Sequence, residues 1–94
     1  MSEDIGELIL VTSENCPHCR EFKKALEEAE IQFRELMIEE VPPEKEGDVM
    51  KLINELNIYA VPTLIVKRDK EYCVLEEKGG KLAPGECKKL DVDV

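Results

Sequence analysis

Two of the four cysteines in this 94-residue chain, Cys16 and Cys19, are separated only by Pro17 and His18. A cysteine at the start of a helix favours the thiolate form, because the free backbone N–H groups and the positive end of the helix dipole stabilise negative charge. Pro17 suits the first helical position, where its missing N–H is not needed. His18 adds positive charge beside Cys16 when it is protonated. The segment predicts a redox-active pair in which Cys16 is the activated thiol.

A close cysteine pair can also provide half of a zinc site, but the other half then needs a second close pair of ligands. The remaining cysteines, Cys73 and Cys87, lie 14 positions apart, and His18 is the only histidine. The sequence therefore disfavours a metal site formed by one chain and predicts no cofactor. One alternative stays open, in which two chains share a metal ion or an iron–sulfur cluster through Cys16.

The other two cysteines have no clear partner in the sequence. Cys73 falls in a predicted strand, where a cysteine can act as a small buried apolar side chain. Cys87 falls in a polar tail and is expected to be exposed. The two residues could join the tail to the sheet as a disulfide, or Cys87 could link two chains, and the sequence leaves these alternatives open.

The elements that hold the first pair are predicted from the spacing of apolar residues. Residues 7–13 form an apolar run that is typical of a buried strand. From Pro17 to about Glu30, apolar residues recur at helical spacing and predict an amphipathic helix. The apolar face of this helix comprises Phe22, Ala25, Leu26 and Ala29. Cys16 therefore falls between a strand and the start of a helix.

The rest of the chain continues the alternation of strands and helices. The predicted elements are a strand over 31–38, a helix over 44–55 that ends near Asn57, and strands over 64–67 and 72–75. The short link between the last two strands predicts an antiparallel hairpin, which Gly79-Gly80 ends. The tail over 81–94 is predicted to carry a weak helix at most. The order β-α-β-α-β-β predicts an α/β fold with a four-stranded mixed sheet flanked by helices.

Length and charge restrict the function classes. Ninety-four residues predict one domain over 1–94. The net charge of −9 repels phosphate backbones, so a nucleic-acid partner is not expected. The acidic N-terminus and the short apolar runs predict neither a secretory signal nor a membrane span, and a cytoplasmic location is expected. In that compartment, a close cysteine pair is more often redox-active or metal-binding than structural.

A second signal is the segment Val61-Pro62-Thr63, which comes just before a predicted strand. Together with the strand, the Cys16-Pro17-His18-Cys19 segment, the helix and the Gly79-Gly80 pair, it resembles the thioredoxin superfamily. In size the chain is closest to the glutaredoxin-like redoxins, and the resemblance covers residues 7 to about 80. It implies a thioredoxin/glutaredoxin-like fold.

The resemblance also implies roles for particular residues. Cys16 would be the nucleophile and Cys19 the resolving thiol, with Pro17 and His18 between them at the catalytic site. The peptide bond before Pro62 would be cis. The substrate-binding residues would be Val61, Pro62, Thr63, Gly79 and Gly80.

The chain departs from the resembling families in two places. Thioredoxins carry a buried carboxylate in the first strand, but the matching stretch here is Leu8-Ile9-Leu10-Val11. Proton transfer is therefore expected to use water, His18 or Glu14. Glutathione-using relatives have a basic residue before the first cysteine and an acidic residue after Gly-Gly, whereas this chain has Glu14 and Lys81. The reversed charges predict that glutathione is a poor reductant.

These observations predict an enzyme, a dithiol–disulfide oxidoreductase that acts on protein disulfides. The expected partners are disulfide-containing protein substrates and a reductase or another dithiol donor. A monomer is expected, with neither a membrane nor a nucleic acid as a partner.

Overall fold

The computed structural model describes residues 6–92 and 94, except for the side chains of residues 77, 78 and 81. Five strands and two α-helices follow one another in this part of the chain. They are β1 (Glu7–Thr12), α1 (Pro17–Glu28), β2 (Arg34–Met37), α2 (Glu46–Glu55), β3 (Thr63–Arg68), β4 (Glu71–Lys78) and β5 (Lys81–Lys89). Short 3-10 turns at Ile38–Glu40 and Pro43–Lys45 connect β2 to α2.

The strands form one mixed sheet in the order β2-β1-β3-β4-β5. β1 is parallel to β2, which follows it after α1, and antiparallel to β3. β3 and β4 form the antiparallel hairpin that the sequence predicts. The loop from β1 to α1 therefore begins at the end of β1, which is an interior strand of the sheet.

Alternation along β1 divides the core between the two faces of the sheet. Ile9 and Val11 pack in one cluster with Val49 and Leu52 of α2. Leu10 lies between them in sequence and packs in a second cluster that contains Leu26 of α1. Successive side chains of a strand point to opposite faces, so the two helices cover opposite faces of the sheet. All three β1 residues are completely buried.

The predicted helix starts and stops agree with the structure more closely than the predicted helix faces do. α1 begins at Pro17 as expected, and Asn57 after α2 adopts a left-handed conformation with φ of 55°. Ala25 and Ala29, however, are exposed, and the α1 face against the sheet is formed by Cys19, Phe22 and Leu26. A small alanine methyl adds little apolar area, so it does not determine which face a helix buries.

The prediction of four strands with a weak C-terminal helix is wrong, because the tail forms a fifth strand. Gly79 and Gly80 have φ of 60° and 80°, the conformation of a two-residue hairpin turn, and they join β4 to β5. Pro84 and Gly85 lie where the register of β4 and β5 shifts. A proline is tolerated there because β5 is at the edge of the sheet.

Candidate active site

Cys16 is the N-cap residue of α1, as the sequence predicts. Its backbone is extended, with φ of −134° and ψ of 94°, and Pro17 occupies the first helical turn. The N–H of Cys19 points back at Cys16, with 3.1 Å between Cys19 N and Cys16 Sγ. Cys16 and Cys19 form a disulfide with a Cα–Cα distance of 5.2 Å. An N–H of the first helical turn is thus shared between the Cys16 sulfur and the Cys16 carbonyl oxygen, each 3.1 Å from Cys19 N.

The loop before β3 lies against Cys16. The Val61–Pro62 peptide bond is cis, in agreement with the implied conformation. The Val61 carbonyl oxygen is 3.8 Å from Cys16 Sγ. The Thr63 hydroxyl donates a hydrogen bond of 2.6 Å to the Ala60 carbonyl, which closes the loop around Pro62. The fold therefore brings residues from two separate parts of the sequence to the same sulfur atom.

A groove of about 340 Å³ extends from Pro62 toward the β4–β5 hairpin. Its lining is mainly apolar and comprises Phe22, Pro62, Thr63, Leu64, Val74, Leu75, Gly80 and Leu82. Three of the five predicted substrate-binding residues, Pro62, Thr63 and Gly80, therefore share one surface depression. Val61 contacts Cys16 instead, and Gly79 lies in the hairpin turn outside the groove lining.

His18 points to solvent rather than into the site. Its side chain is 85% exposed, and Nδ1 lies 3.8 Å from the carboxylate of Glu21, one turn along α1. The imidazole is thus between a neighbouring carboxylate and water. Any effect it has on Cys16 acts through solvent, where charge interactions are weak.

A second cavity is lined by the cysteine pair itself. It has a volume of about 140 Å³, and its lining includes Cys16, Cys19, Lys23 and Glu35. The Glu35 carboxylate accepts a hydrogen bond of 2.8 Å from the Thr12 hydroxyl and one of 3.0 Å from the Lys23 ammonium. The hydrogen bond from Thr12, followed by that from Lys23, lowers the pKa of Glu35 below its usual value. An ionised carboxylate therefore borders the same cavity as the buried Cys19.

A second carboxylate fixes the loop that leads to Cys16. Glu39 accepts a hydrogen bond of 2.6 Å from the Ser13 hydroxyl and one of 3.0 Å from the Glu14 backbone N–H. The Ser13 hydrogen bond is the main reason that the pKa of Glu39 is lowered. Glu39 thereby connects the turn after β2 to the loop between β1 and α1.

Neither Glu35 nor Glu39 could be singled out from the sequence. Both flank the apolar run Leu36-Met37-Ile38, and acidic residues beside a short apolar run are typical of a solvated strand end. For Glu35, the signal is the parallel pairing of β1 and β2, which aligns Glu35 with Leu10, two positions before Thr12. Glu39 lies in the turn after β2 and has no such signal. Glu14, which the sequence offers as a proton acceptor, also lines the 140 Å³ cavity, but it is exposed.

The structure resolves the alternatives left open for the other cysteines. Cys73 and Cys87 are directly opposite each other on β4 and β5 and form a disulfide within the chain. Cys73 is buried and Cys87 is exposed. The bond joins the C-terminal strand to the sheet.

Within residues 6–92 and 94, no helix is long and apolar enough to cross a membrane. No curated protein matches the chain. The family model named Glutaredoxin matches residues 8–70, which include the cysteine pair, the cis-proline loop and three of the five strands in whole or in part. The Cys16–Cys19 disulfide at the start of α1 is consistent with thiol–disulfide redox chemistry. The chain belongs to the glutaredoxin family.

Proposed function

We propose that this protein is a dithiol–disulfide oxidoreductase that reduces disulfides of other proteins, with Cys16 as nucleophile and Cys19 as resolving thiol. The single observation that carries the proposal is the position of Cys16, whose Sγ faces the Cys19 N–H at 3.1 Å at the start of α1. This environment stabilises a Cys16 thiolate when the pair is reduced. Cys19 has no comparable position, because it lies inside the first turn and is 4% exposed.

The reaction proceeds in two exchanges. The Cys16 thiolate attacks one sulfur of the substrate disulfide, forms a mixed disulfide and releases the other substrate sulfur as a thiolate, which takes up a proton. Cys19 then loses its proton and attacks Cys16 Sγ, which releases the second substrate thiol and forms the Cys16–Cys19 disulfide. Two electrons pass to the substrate, and a reductase or another dithiol donor returns them.

The Cys19 proton needs an acceptor, and we assign this role to Glu35. A thiol attacks a disulfide only as its thiolate, and Cys19 is buried. Glu35 and Cys19 line the same cavity of about 140 Å³, which is large enough for water. Thr12 and Lys23 hold the carboxylate in place and keep it ionised. Glu35 therefore receives the proton through water in the cavity and passes it to solvent.

The shape of the surface around Cys16 supports an extended peptide segment as substrate. The groove that begins at Pro62 is lined by apolar side chains and is open to solvent. Val61 offers its backbone beside Cys16, and Pro62, Thr63 and Gly80 border the groove, so a substrate residue next to the reacting cysteine can place an apolar side chain there. Gly79 has a positive φ, which permits the tight turn of the hairpin that carries Gly80. His18, when it is protonated, adds positive charge on the solvent side of the thiolate, and Pro17 starts the helix.

The experiment is trapping with a Cys19→Ser variant. After reaction with a disulfide-containing protein such as insulin, this variant is expected to accumulate a mixed disulfide through Cys16, while Cys16→Ser forms none. The wild type is expected to turn over with a dithiol reductant but poorly with glutathione, because Glu14 and Lys81 reverse the charges that suit glutathione. Formation of the adduct through any other cysteine contradicts the assignment of the nucleophile.

The alternative of a metal ion or iron–sulfur cluster shared by two chains through Cys16 stays a prediction of the sequence. Visible absorbance of the freshly purified protein tests for the cluster, since thiolate-bound iron–sulfur clusters are coloured, and elemental analysis tests for a colourless ion such as Zn²⁺. A colourless, metal-free protein that still reduces insulin supports the oxidoreductase alone.

A further inference from the structure

The β4–β5 hairpin carries a second cluster of residues with metal-binding side chains. Cys73 and Cys87 are register partners on the two strands, with a Cα–Cα distance of 4.0 Å. Glu71 precedes Cys73 by two positions on β4, so its side chain is on the same face of the sheet. The two sulfurs and a Glu71 carboxylate oxygen lie within 4.8 Å of one another. None of these residues takes part in the site at Cys16.

We propose that the reduced form of this hairpin binds a thiophilic divalent cation, such as Zn²⁺, through Cys73, Cys87 and Glu71. Two ligands on a tetrahedral zinc ion lie about 3.5–3.8 Å apart, given Zn–S and Zn–O distances of about 2.3 and 2.1 Å. Atoms that already lie within 4.8 Å of one another need to shift by only about 1 Å to meet one ion. The strand backbones are held in register and set the positions of all three residues before the ion arrives.

The ligand types select the ion. Two thiolates and one carboxylate favour Zn²⁺ over Mg²⁺ or Ca²⁺, which prefer sites made of oxygen alone. Three protein ligands leave the fourth tetrahedral position to water. Cys73 is buried, Glu71 is half-buried and Cys87 is exposed, so the ion reaches the site from the Cys87 side.

Binding is coupled to reduction, because a sulfur in the Cys73–Cys87 disulfide is not a thiolate ligand. A dithiol reductant attacks the exposed Cys87 sulfur, releases Cys73 and itself becomes a disulfide, so that two electrons and two protons pass to the cysteine pair. The cation then displaces the two thiol protons when it binds. The hairpin is therefore closed by a disulfide under oxidising conditions and by a metal ion under reducing conditions.

The test uses a full-length Cys16→Ser, Cys19→Ser double variant, which removes the other thiol pair and makes the outcome independent of the proposed function. The protein is reduced with a phosphine, the phosphine is removed, and Zn²⁺ binding is measured by equilibrium dialysis. Cd²⁺ replaces Zn²⁺ in a parallel titration, which reports the metal–thiolate bond by ultraviolet absorbance. The expected result is one ion per chain in the reduced protein and none in the oxidised protein.

Three further variants in this background assign the ligands. Adding Cys87→Ser, at an exposed position, or Cys73→Ser is expected to abolish the cadmium–thiolate band or reduce affinity by at least about 100-fold, and Glu71→Gln by at least about tenfold. Glu27→Gln, on the exposed side of α1, is the matched control and should leave the affinity unchanged. Equal affinity of the reduced double variant and its Cys87→Ser derivative would overturn the proposal, as would equal affinity with and without Glu71.

Discussion

The two cysteine pairs of this protein are brought together by different parts of the fold. Cys16 and Cys19 are joined across the first turn of one helix, three positions apart in sequence. Cys73 and Cys87 are 14 positions apart and meet because two strands pair in register. The first pair depends on local structure alone, whereas the second requires that the tail be a strand.

The two pairs also differ in the backbone groups around their sulfurs. The Cys16 sulfur faces the Cys19 N–H at the start of a helix, where the positive end of the helix dipole stabilises negative charge. Cys73 and Cys87 belong to paired strands, where backbone groups are engaged in the ladder between β4 and β5. We infer that the first environment activates a thiolate and the second stabilises the fold. Solvent exposure alone would predict the opposite order of reactivity, since Cys87 is exposed and Cys16 is only 9% exposed.

The largest expected effect separates the pairs by activity. Cys16→Ser should lower the rate of insulin disulfide reduction by at least about 10³-fold, because it removes the nucleophile. Cys87→Ser should leave the rate within about twofold of the wild type, because the sulfur it removes lies outside the site at Cys16. Stopped-flow or turbidity assays at neutral pH measure both. Comparable losses in the two variants would show that the pairs do not have separate roles.

The second-largest expected effect is the difference between the two disulfides in how much each stabilises the folded protein. The Cys73–Cys87 disulfide closes a loop of about 15 residues and should stabilise the oxidised protein by about 3 kcal/mol, or about 12–24 °C in Tm. The same relation gives about 2 kcal/mol for the short loop closed by Cys16 and Cys19. Thermal unfolding of oxidised wild type, Cys87→Ser and Cys16→Ser measures the difference. An unchanged Tm in Cys87→Ser would show that the Cys73–Cys87 disulfide does not stabilise the fold.

A smaller effect concerns Glu35, the proton acceptor that we propose for the first pair. Glu35→Gln should slow resolution of the mixed disulfide by about tenfold while its formation continues at the wild-type rate. This is below the usual 10²–10⁴-fold contribution of a general base, because hydrogen bonds from Thr12 and Lys23 lower the pKa of Glu35 and make it a weak base. Single-turnover kinetics with a preformed mixed disulfide separate the two steps. An unchanged resolution rate would exclude Glu35 as the acceptor.

A control for that variant comes from the pH dependence of stability. The pKa of Glu35 is lowered in the folded protein, so its contribution to stability is present above the unfolded pKa of about 4.3 and is lost as pH falls through the folded value. Glu35→Gln should therefore destabilise the protein more at pH 7 than at pH 3. This pattern would confirm that the carboxylate is ionised in the folded state, and equal destabilisation at the two pH values would contradict it.

The smallest effect concerns His18. In its protonated form the imidazole favours the Cys16 thiolate over the uncharged disulfide, so His18→Ala should make the Cys16–Cys19 couple more reducing. The side chain is 85% exposed, and the shift should be about 10–20 mV. Glu21→Gln, which removes the carboxylate beside His18, should shift the potential the other way. A redox equilibrium against a dithiol buffer in which His18→Ala is unchanged or less reducing would refute the tuning role.

The sequence predicted those features that depend on local structure. The β1 strand, the start of α1 at Pro17 and the N-cap position of Cys16 all follow from residues close together in the chain. The features it missed depend on contacts between segments that are distant in sequence. β5 was missed because Pro84 and Gly85 disfavour a regular strand, yet an edge strand with a register shift accommodates both. Glu35 was missed because its position depends on Thr12 and Lys23, which β1 and α1 supply.

The most direct test of the account compares the reactivity of all four thiols in one experiment. The fully reduced protein is treated with less than one equivalent of iodoacetamide at pH 7, and the label on each cysteine is measured by peptide mass spectrometry. If the start of α1 activates the thiolate, Cys16 is labelled first, although Cys87 is more exposed. Faster labelling of Cys87 would show that exposure determines reactivity, and faster labelling of Cys19 would show that the nucleophile is assigned to the wrong residue. Either result would contradict the account.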